Sequence, residues 1–475
     1  MAVSGTTVGP EVLVEIDRQR PEPLHRQLTD GLRAAIRAGR LSPDARMPSS
    51  RVLAADLGVS RRLVVDAYAQ LVAEGFLLSQ HGSGTRVASV YLTEDGEVGA
   101  ASRLASYDVD FTPGCPDLSS FPRAAWMRAL RQGLSITETD AFGYVAPQGH
   151  AATREALSGH LRRTRGVIAD PDRIVVCSGV TQGLGLSGMA LRQLDGLPIA
   201  IEDPAFWFHR VAMRNNGIRA IPIPVDDDGL DVEQLAASEA KAALITPAHQ
   251  SPTGVVMSPA RRAALLEWAH AGNMIIEDDY DAEYRYDRAP VGAMQGLAPD
   301  RVIYLGSASK TLAPALRFGW MVLPAALVGL VTKFKRSADL GNSIMDQITF
   351  ASLLASGDYD RHLRQMRRRY VSRRNALLRA LSQHLPYTTV LGAAAGVQLA
   401  VHFPRGYPID ELIENAASMG VKVEPLQPWY ADRSAGPPGL ILGFANVSES
   451  KIHTGIRVLA EATRGLAGQP NVLST

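Results

Sequence analysis

Residues 302–320 read VIYLGSASKTLAPALRFGW. An apolar run ending at Gly306 passes directly into Ser307, Ala308, Ser309 and Lys310, and Arg317 follows seven residues beyond the lysine. A lysine held in a loop at the end of a buried strand can form an imine with an aldehyde once burial and neighbouring positive charge lower its pKa. Serine hydroxyls and a guanidinium fork beside it suit a phosphate dianion. An aldehyde and a phosphate on one ligand describe pyridoxal 5′-phosphate. By itself, the Ser-x-Ser-Lys string also fits a solvated loop.

The flanks of this stretch are strands, and the pattern recurs upstream. RIVVC (173–177), LPIAIE (197–202), IRAIPI (218–223), KAALIT (241–246), NMIIED (273–278), RVIYLG (301–306) and FGWMVL (318–323) are short apolar runs separated by longer Ala/Leu-rich stretches of helical period. Nearly continuous apolar strands alternating with helices predict an α/β body with a mainly parallel sheet covered on both faces. After residue 357 a long helix (358–385) and then mixed strands and helices predict a small α+β C-terminal lobe.

Three further segments bear on the same ligand. IIEDDYDAEY (275–284) ends a strand with acids; Asp278 is suited to keep a pyridine nitrogen protonated and Tyr280 to meet a ring hydroxyl, although the same acids also fit a charged strand end. VVCSGVTQGLGL (175–186) reads as strand, Ser-Gly turn and helix, so that the amides of Val180 and Thr181 can hold phosphate at a helix N-terminus. PAHQSPTGVVM (247–257) follows a strand and either approaches the ring or is a plain turn.

The first 90 residues have a different character. EPLHRQLTDGLRAAIRA (22–38) places Leu24, Leu28, Leu32 and Ile36 on one helical face. MPSSRVLAADLGVS (47–60) gives a short helix, and Ser60 caps the next, RRLVVDAYAQLVAEG (61–75), which Gly75 ends. FLLSQHGSGTRV (76–87) alternates about a turn, as a hairpin wing does. Three helices and a wing make a winged helix-turn-helix, whose second motif helix enters the major groove by its N-terminal residues. Arg61 and Arg62 stand there, and Arg51 on the preceding helix can grip the backbone. From Arg18 to Arg62 there are ten arginines against four acids, a net of +6, within a chain whose total is +1. With so small a total charge, nucleic acid must be met by a local patch such as this one.

The 475 residues, 46% apolar and 20% charged, exclude collagenous, coiled-coil and disordered classes. Two cysteines, Cys115 and Cys177, build no disulfide framework. With no signal-peptide layout and no apolar run of spanning length, a cytoplasmic protein without membrane contact is expected. No metal is expected. The expected domains are 10–88 (winged helix-turn-helix), a polar linker 89–109 and 110–470 (effector body).

Residues 22–88, through MPSSRVLAADLGVSRRLVVDAYAQLVAEGFL and HGSGTRV, resemble the GntR superfamily of bacterial repressors. The resemblance implies double-stranded operator DNA as partner, with contacts from Arg51, Ser60, Arg61, Arg62, His81 and Gly82. Residues 110–465 resemble fold type I pyridoxal-phosphate enzymes of the aspartate aminotransferase class. This implies Lys310 as the Schiff-base lysine, Asp278 at the pyridine nitrogen, Tyr280 at the ring hydroxyl, and Val180, Thr181, Ser307 and Arg317 at the phosphate. It also makes Phe206 a candidate to stack on the ring, and Tyr144 the residue reaching a neighbouring subunit's phosphate. Ser251, a cofactor-binding candidate, departs from the family's Asn before Pro-Thr-Gly, so the hydrogen bond that Asn would give the ring hydroxyl falls to a shorter side chain. A GntR-type head on such a body resembles the MocR regulators, which implies a head-to-tail homodimer whose DNA-binding domains cross between subunits.

Three functions compete: a pyridoxal-phosphate-binding regulator, a working aminotransferase with an accessory head, and a DNA-binding protein whose body only dimerises. Aminotransferases of this class carry a carboxylate-gripping arginine three residues before Phe in Arg-Leu-x-Phe-Ala. Here LILGFANVSES (440–450) places Ile441 there. The expectation is therefore a regulator that senses the cofactor through an aldimine at Lys310 and controls vitamin B6 synthesis or salvage; an amino-acid sensor or an active transaminase is the alternative. Arg285 and Arg433 are candidates for a replacement grip. RHLRQMRRRYVSRR (361–374), with seven arginines, is either a solvated helix face or a second DNA-contacting surface.

Overall fold

The computed structural model describes residues 14, 16–80, 84–88, 107–144, 146–287, 291–392 and 394–466. Two compact units result, residues 1–105 and 106–475. In the first, α1 (Leu24–Arg37), α2 (Ser50–Asp56) and α3 (Arg61–Ala73) precede an antiparallel pair, β1 (Leu77–Gln80) and β2 (Gly84–Val87). The apolar faces of all three helices meet the wing in one core of Leu28, Leu32, Leu53, Val64, Leu71, Leu77 and Val87. Ser49 caps α2 by accepting from the Val52 amide (3.3 Å), and Ser60 caps α3 by accepting from Leu63 (3.2 Å). The Tyr68 hydroxyl donates to the Pro48 carbonyl (3.0 Å), tying α3 to the start of α2.

In the second unit β3 (Val109–Asp110) precedes the large sheet. That sheet comprises β4 (Ile174–Cys177), β5 (Ile199–Asp203), β6 (Ala220–Asp226), β7 (Gly229–Leu230), β8 (Ala242–Ile245), β9 (Met274–Asp279), β10 (Val302–Ser307) and β11 (Gly319–Val322). Their spatial order is β4-β11-β10-β9-β8-β5-β6-β7. The pairs β10–β9, β9–β8, β8–β5 and β5–β6 are parallel. β11 runs antiparallel to both β10 and β4, because the loop 308–318 returns it to the sheet without a crossover helix. Burial on both faces explains the unbroken apolar runs. Ile303 and Leu305 of β10 enter the core shared with the helix Val180–Arg192, while Val302 and Tyr304 enter cores on the opposite face.

The C-terminal lobe is an antiparallel sheet of β12 (Thr389–Leu391), β13 (Gln398–His402), β15 (Glu424–Pro425) and β16 (Gly439–Gly443), ordered β12-β13-β16-β15. β14 (Val421–Lys422) pairs in parallel with β3. Val109, inside the stretch read as linker, is thus a buried strand residue of this unit, 3% exposed. The helices Asp358–His384 and Glu449–Ala462 share the lobe's core.

The arginine-dense helix is mostly an anchor. Arg369 and Arg373 both reach Asp117 Oδ2 at 2.9 Å. Arg367 Nε donates to the Arg285 carbonyl (2.7 Å), and the Arg374 guanidinium covers the Tyr286 ring at 4.9 Å. These four are neither a solvated face nor a free DNA surface. Among the described residues no helix is long and apolar enough to cross a membrane.

Candidate functional site

The carboxyl ends of β5, β8, β9 and β10 open on a cavity of about 220 Å³, the edge at which open α/β sheets take ligands. Nine residues expected there from sequence line it together: Val180, Thr181, Phe206, Ser251, Asp278, Tyr280, Ser307, Lys310 and Arg317. Tyr144 does not; it lies 93% exposed after a 3-10 turn.

Strand alternation sorts the acids of the Glu-Asp-Asp-Tyr-Asp string. Glu277 points away and accepts from the amides of Met294 (2.9 Å) and Gln295 (3.0 Å). Asp279 also points away, into a buried pair with Arg165 (2.7 Å) and a hydrogen bond from the Tyr304 hydroxyl (2.6 Å). Asp278 and Tyr280 face the cavity. Asp278 Oδ2 lies 3.5 Å from His209 Nε2, while Asp278 Oδ1 is buried without a partner. Burial, then Asp279 and Asp281, push the Asp278 carboxyl well above the usual carboxylate range.

Lys310 follows β10 and its Nζ donates to the Gly114 carbonyl (2.6 Å). Burial lowers its pKa, partly opposed by Asp281, Cys115 and Asp278. At the opposite end the helix Val180–Arg192 starts at Gly179, which has φ +90° and provides no side-chain cap, so its first amides are open to an anion. Arg317, at φ +49°, covers that turn: a Cβ on Gly179 would lie 3.1 Å from Arg317 Nη2. Ser307 Oγ accepts from the Ser309 amide (3.0 Å) and donates to Ser309 Oγ (2.8 Å), holding both hydroxyls beside the cradle.

Phe206 precedes the helix Trp207–Asn215 and lines the cavity with Trp429, their ring centroids 5.4 Å apart. Ser251 is 8% exposed and lines the cavity with Tyr280. His209, Gln398, Trp429 and Glu202 also line the space and were missed from sequence. His209, one helical turn after Phe206, had a legible signal in its spacing; Trp429 and Gln398 come from the distant lobe and had none.

Ile441 is fully buried, packed with Leu426 and Trp429, so an apolar cluster fills the arginine position. Neither replacement candidate reaches the cavity: Arg285 is buried and paired with Asp287 (2.8 Å), and Arg433 is exposed. Arg317 at the anion cradle is the only arginine lining the cavity among the described residues.

The site therefore offers an amine, a carboxyl with an open oxygen, a phenol and an anion cradle within one space. A phosphorylated aldehyde with a basic ring nitrogen fits that donor set.

In the first unit Arg51, Ser60, Arg61 and Arg62 are all exposed at the adjoining ends of α2 and α3. Arg61 Nε lies 3.4 Å from Ser50 Oγ, and Arg62, 92% exposed in its side chain, lies 3.9 Å from Asp66. His81 and Gly82 lie outside the described residues.

Residues 110–456 match the family described as aminotransferase class I and II, and residues 24–87 match the gntR family of bacterial regulatory proteins. The chain is 33% identical to the probable rhizopine catabolism regulatory protein MocR of Rhizobium meliloti, over 95% of this chain and 96% of that protein. It is 30% identical to the HTH-type pyridoxine biosynthesis transcriptional regulator PdxR of Corynebacterium glutamicum, over 94% and 98%. Among solved structures, a kynurenine aminotransferase of Pyrococcus horikoshii superposes with a TM-score of 0.69 at 29% identity, over 76% of this chain and 91% of that chain.

Proposed function

Because the chain belongs to the MocR family, transcriptional regulators with a GntR head and an aminotransferase class I and II body, we propose that it senses pyridoxal 5′-phosphate itself and thereby controls vitamin B6 synthesis or salvage. The observation that carries the cofactor is Asp278, a buried carboxyl with one unpartnered oxygen that lines the same cavity as Lys310. Pyridoxal 5′-phosphate, when bound, supplies an aldehyde for an amine and a ring nitrogen that can hold a proton.

The chain's own residues divide the remaining work. Lys310 presents an amine that burial favours in its neutral, nucleophilic form. Asp278 holds a proton at the ring nitrogen, and Tyr280 and Ser251 hydrogen-bond the ring hydroxyl. The amides of Val180 and Thr181, the Ser307 hydroxyl and Arg317 bind the phosphate, and Phe206 covers the ring. Tyr144, exposed on its own chain, serves the phosphate of the second subunit in a head-to-tail homodimer. Arg51, Ser60, Arg61, Arg62, His81 and Gly82 contact operator DNA in the cytoplasm.

Ile441 favours the cofactor over an amino acid as the effector. A substrate carboxylate set against Ile441 and Trp429 would have no cationic partner there, at a desolvation cost of several kcal/mol. The relative named for pyridoxine biosynthesis supports the same reading. The cofactor can shift DNA binding only through unequal affinity for two dimer arrangements. The test is operator affinity of apo- and cofactor-loaded protein, with a spectral titration against the common amino acids. The expected result is a change of affinity on loading and no response to amino acids. Equal affinities, with one amino acid moving both spectrum and binding, would establish an amino-acid sensor instead.

A further inference from the structure

Behind Tyr280, outside the cavity lining, lies a polar pair with no role in holding the cofactor directly. His249 and Asp281 have side chains 3% and 1% exposed. His249 Nδ1 stands 3.2 and 3.3 Å from the two Asp281 carboxyl oxygens, and 3.0 Å from the Tyr280 hydroxyl. Its other nitrogen, Nε2, is buried with no partner. Gly396, at φ +79°, packs against the ring so closely that a Cβ there would lie 2.1 Å from His249 Cε1.

We propose that His249 is a positioning residue whose single Nδ1 hydrogen is shared between the Asp281 carboxylate and the Tyr280 oxygen, so that Tyr280 accepts on that side and turns its own hydrogen into the cavity. The proposal rests on the cofactor reading above. Among the described residues, His249 Nδ1 is the only side-chain donor within hydrogen-bonding distance of the Asp281 carboxyl oxygens, and those oxygens accept. The hydrogen of the imidazole therefore sits on Nδ1, since on Nε2 it would have no acceptor. Tyr280, 3.0 Å from that N–H, accepts there and keeps its own hydrogen for the cavity side. Ser251 is shorter than the Asn expected at its position and supplies less reach toward the ring hydroxyl. A fixed Tyr280 hydrogen compensates for it.

The test uses the full-length protein loaded with pyridoxal 5′-phosphate and follows the pH midpoint of its visible absorbance. A hydrogen bond donated to a ring oxygen anion favours the deprotonated form, so losing it moves the midpoint upward, on the order of one pH unit. Tyr280→Phe should produce this shift and His249→Leu most of it, with no further shift in the double variant. His249→Asn should restore the midpoint, because the Asn amide N–H can occupy the place of Nδ1–H. Asp281→Asn, nearly isosteric, should shift it in the same direction as His249→Leu and serves if the leucine variant does not fold. An unmoved midpoint in both His249→Leu and Asp281→Asn, or additivity with Tyr280→Phe, overturns the proposal. A wild type with no visible band would instead remove the cofactor reading, and this proposal with it.

Discussion

His209 Nε2 stands 3.5 Å from one carboxyl oxygen of Asp278 and leaves the other oxygen buried with no partner. Burial lowers the His209 pKa to about 4, with Arg210 and Lys310 acting in the same direction, and burial raises the Asp278 carboxyl. Burial thus favours the neutral form of both neighbours, and a positive charge brought beside Asp278 by a ligand would favour its carboxylate.

Asp278→Asn should weaken retention of pyridoxal 5′-phosphate by about 10–100-fold, the range of a lost hydrogen bond to a charged group. Equilibrium dialysis measures it. The apo-variant should be at least as stable as the wild type at neutral pH, because the raised folded-state pKa means that the wild type must bury a carboxyl its unfolded chain would ionise.

Glu202 should make the apo-protein less stable as pH rises. Its carboxyl is pushed up to about 7 by burial, against donors from Thr246 and Gln250. An unfolded glutamate titrates near ~4.3, so the folded state holds the proton longer and stability falls across about pH 4–7. Glu202→Gln should flatten that slope in thermal melts of apo-protein.

Lys310→Ala should abolish the yellow colour expected of the loaded wild type, while leaving the fold intact. Truncation removes the hydrogen bond from the amine to the Gly114 carbonyl, which costs about 1 kcal/mol. Absorbance after saturation with cofactor, read beside a melting curve, separates the two effects.

Arg61→Ala should weaken operator binding by ~1–3 kcal/mol and relax preference at one base position; a side chain contacting only phosphate would weaken all sequences alike. Ser60→Ala should weaken operator binding and also lower the stability of the head by about 1 kcal/mol through loss of the α3 cap. Anisotropy titrations on operator variants, with melting curves, distinguish them.

Asp117 should govern acid sensitivity at the start of the body. Hydrogen bonds from Ser119 and Arg369, together with the charge of Arg373, outweigh burial and lower its carboxyl to about 2. The stability it contributes is present above an unfolded value near ~3.9 and is lost as pH falls toward 2. Asp117→Asn should remove that dependence at a cost of about 1–3 kcal/mol, read from denaturant melts at pH 7 and pH 3.

The amino-acid sequence by itself determined what depends on neighbours within a turn or a strand. The cap Ser60, the apolar face of α1, seven of the eight strands of the large sheet and the Lys310 loop all follow from such spacings, because caps, period and turns act over a few residues. Nine lining residues were legible for the same reason: most stand at the end of a strand, at the start of a helix or in the loop that follows a strand, where an α/β sheet collects its polar groups. Tertiary structure alone decided the rest. Trp429 and Gln398 reach the cavity from a lobe far along the chain, Ile441 lies in a core cluster with Trp429, and the acidic and aromatic partners of the arginine-dense helix stand far from it in sequence. Which side chains meet across such separations is set by packing of two sheets and their helices, and no local pattern records it.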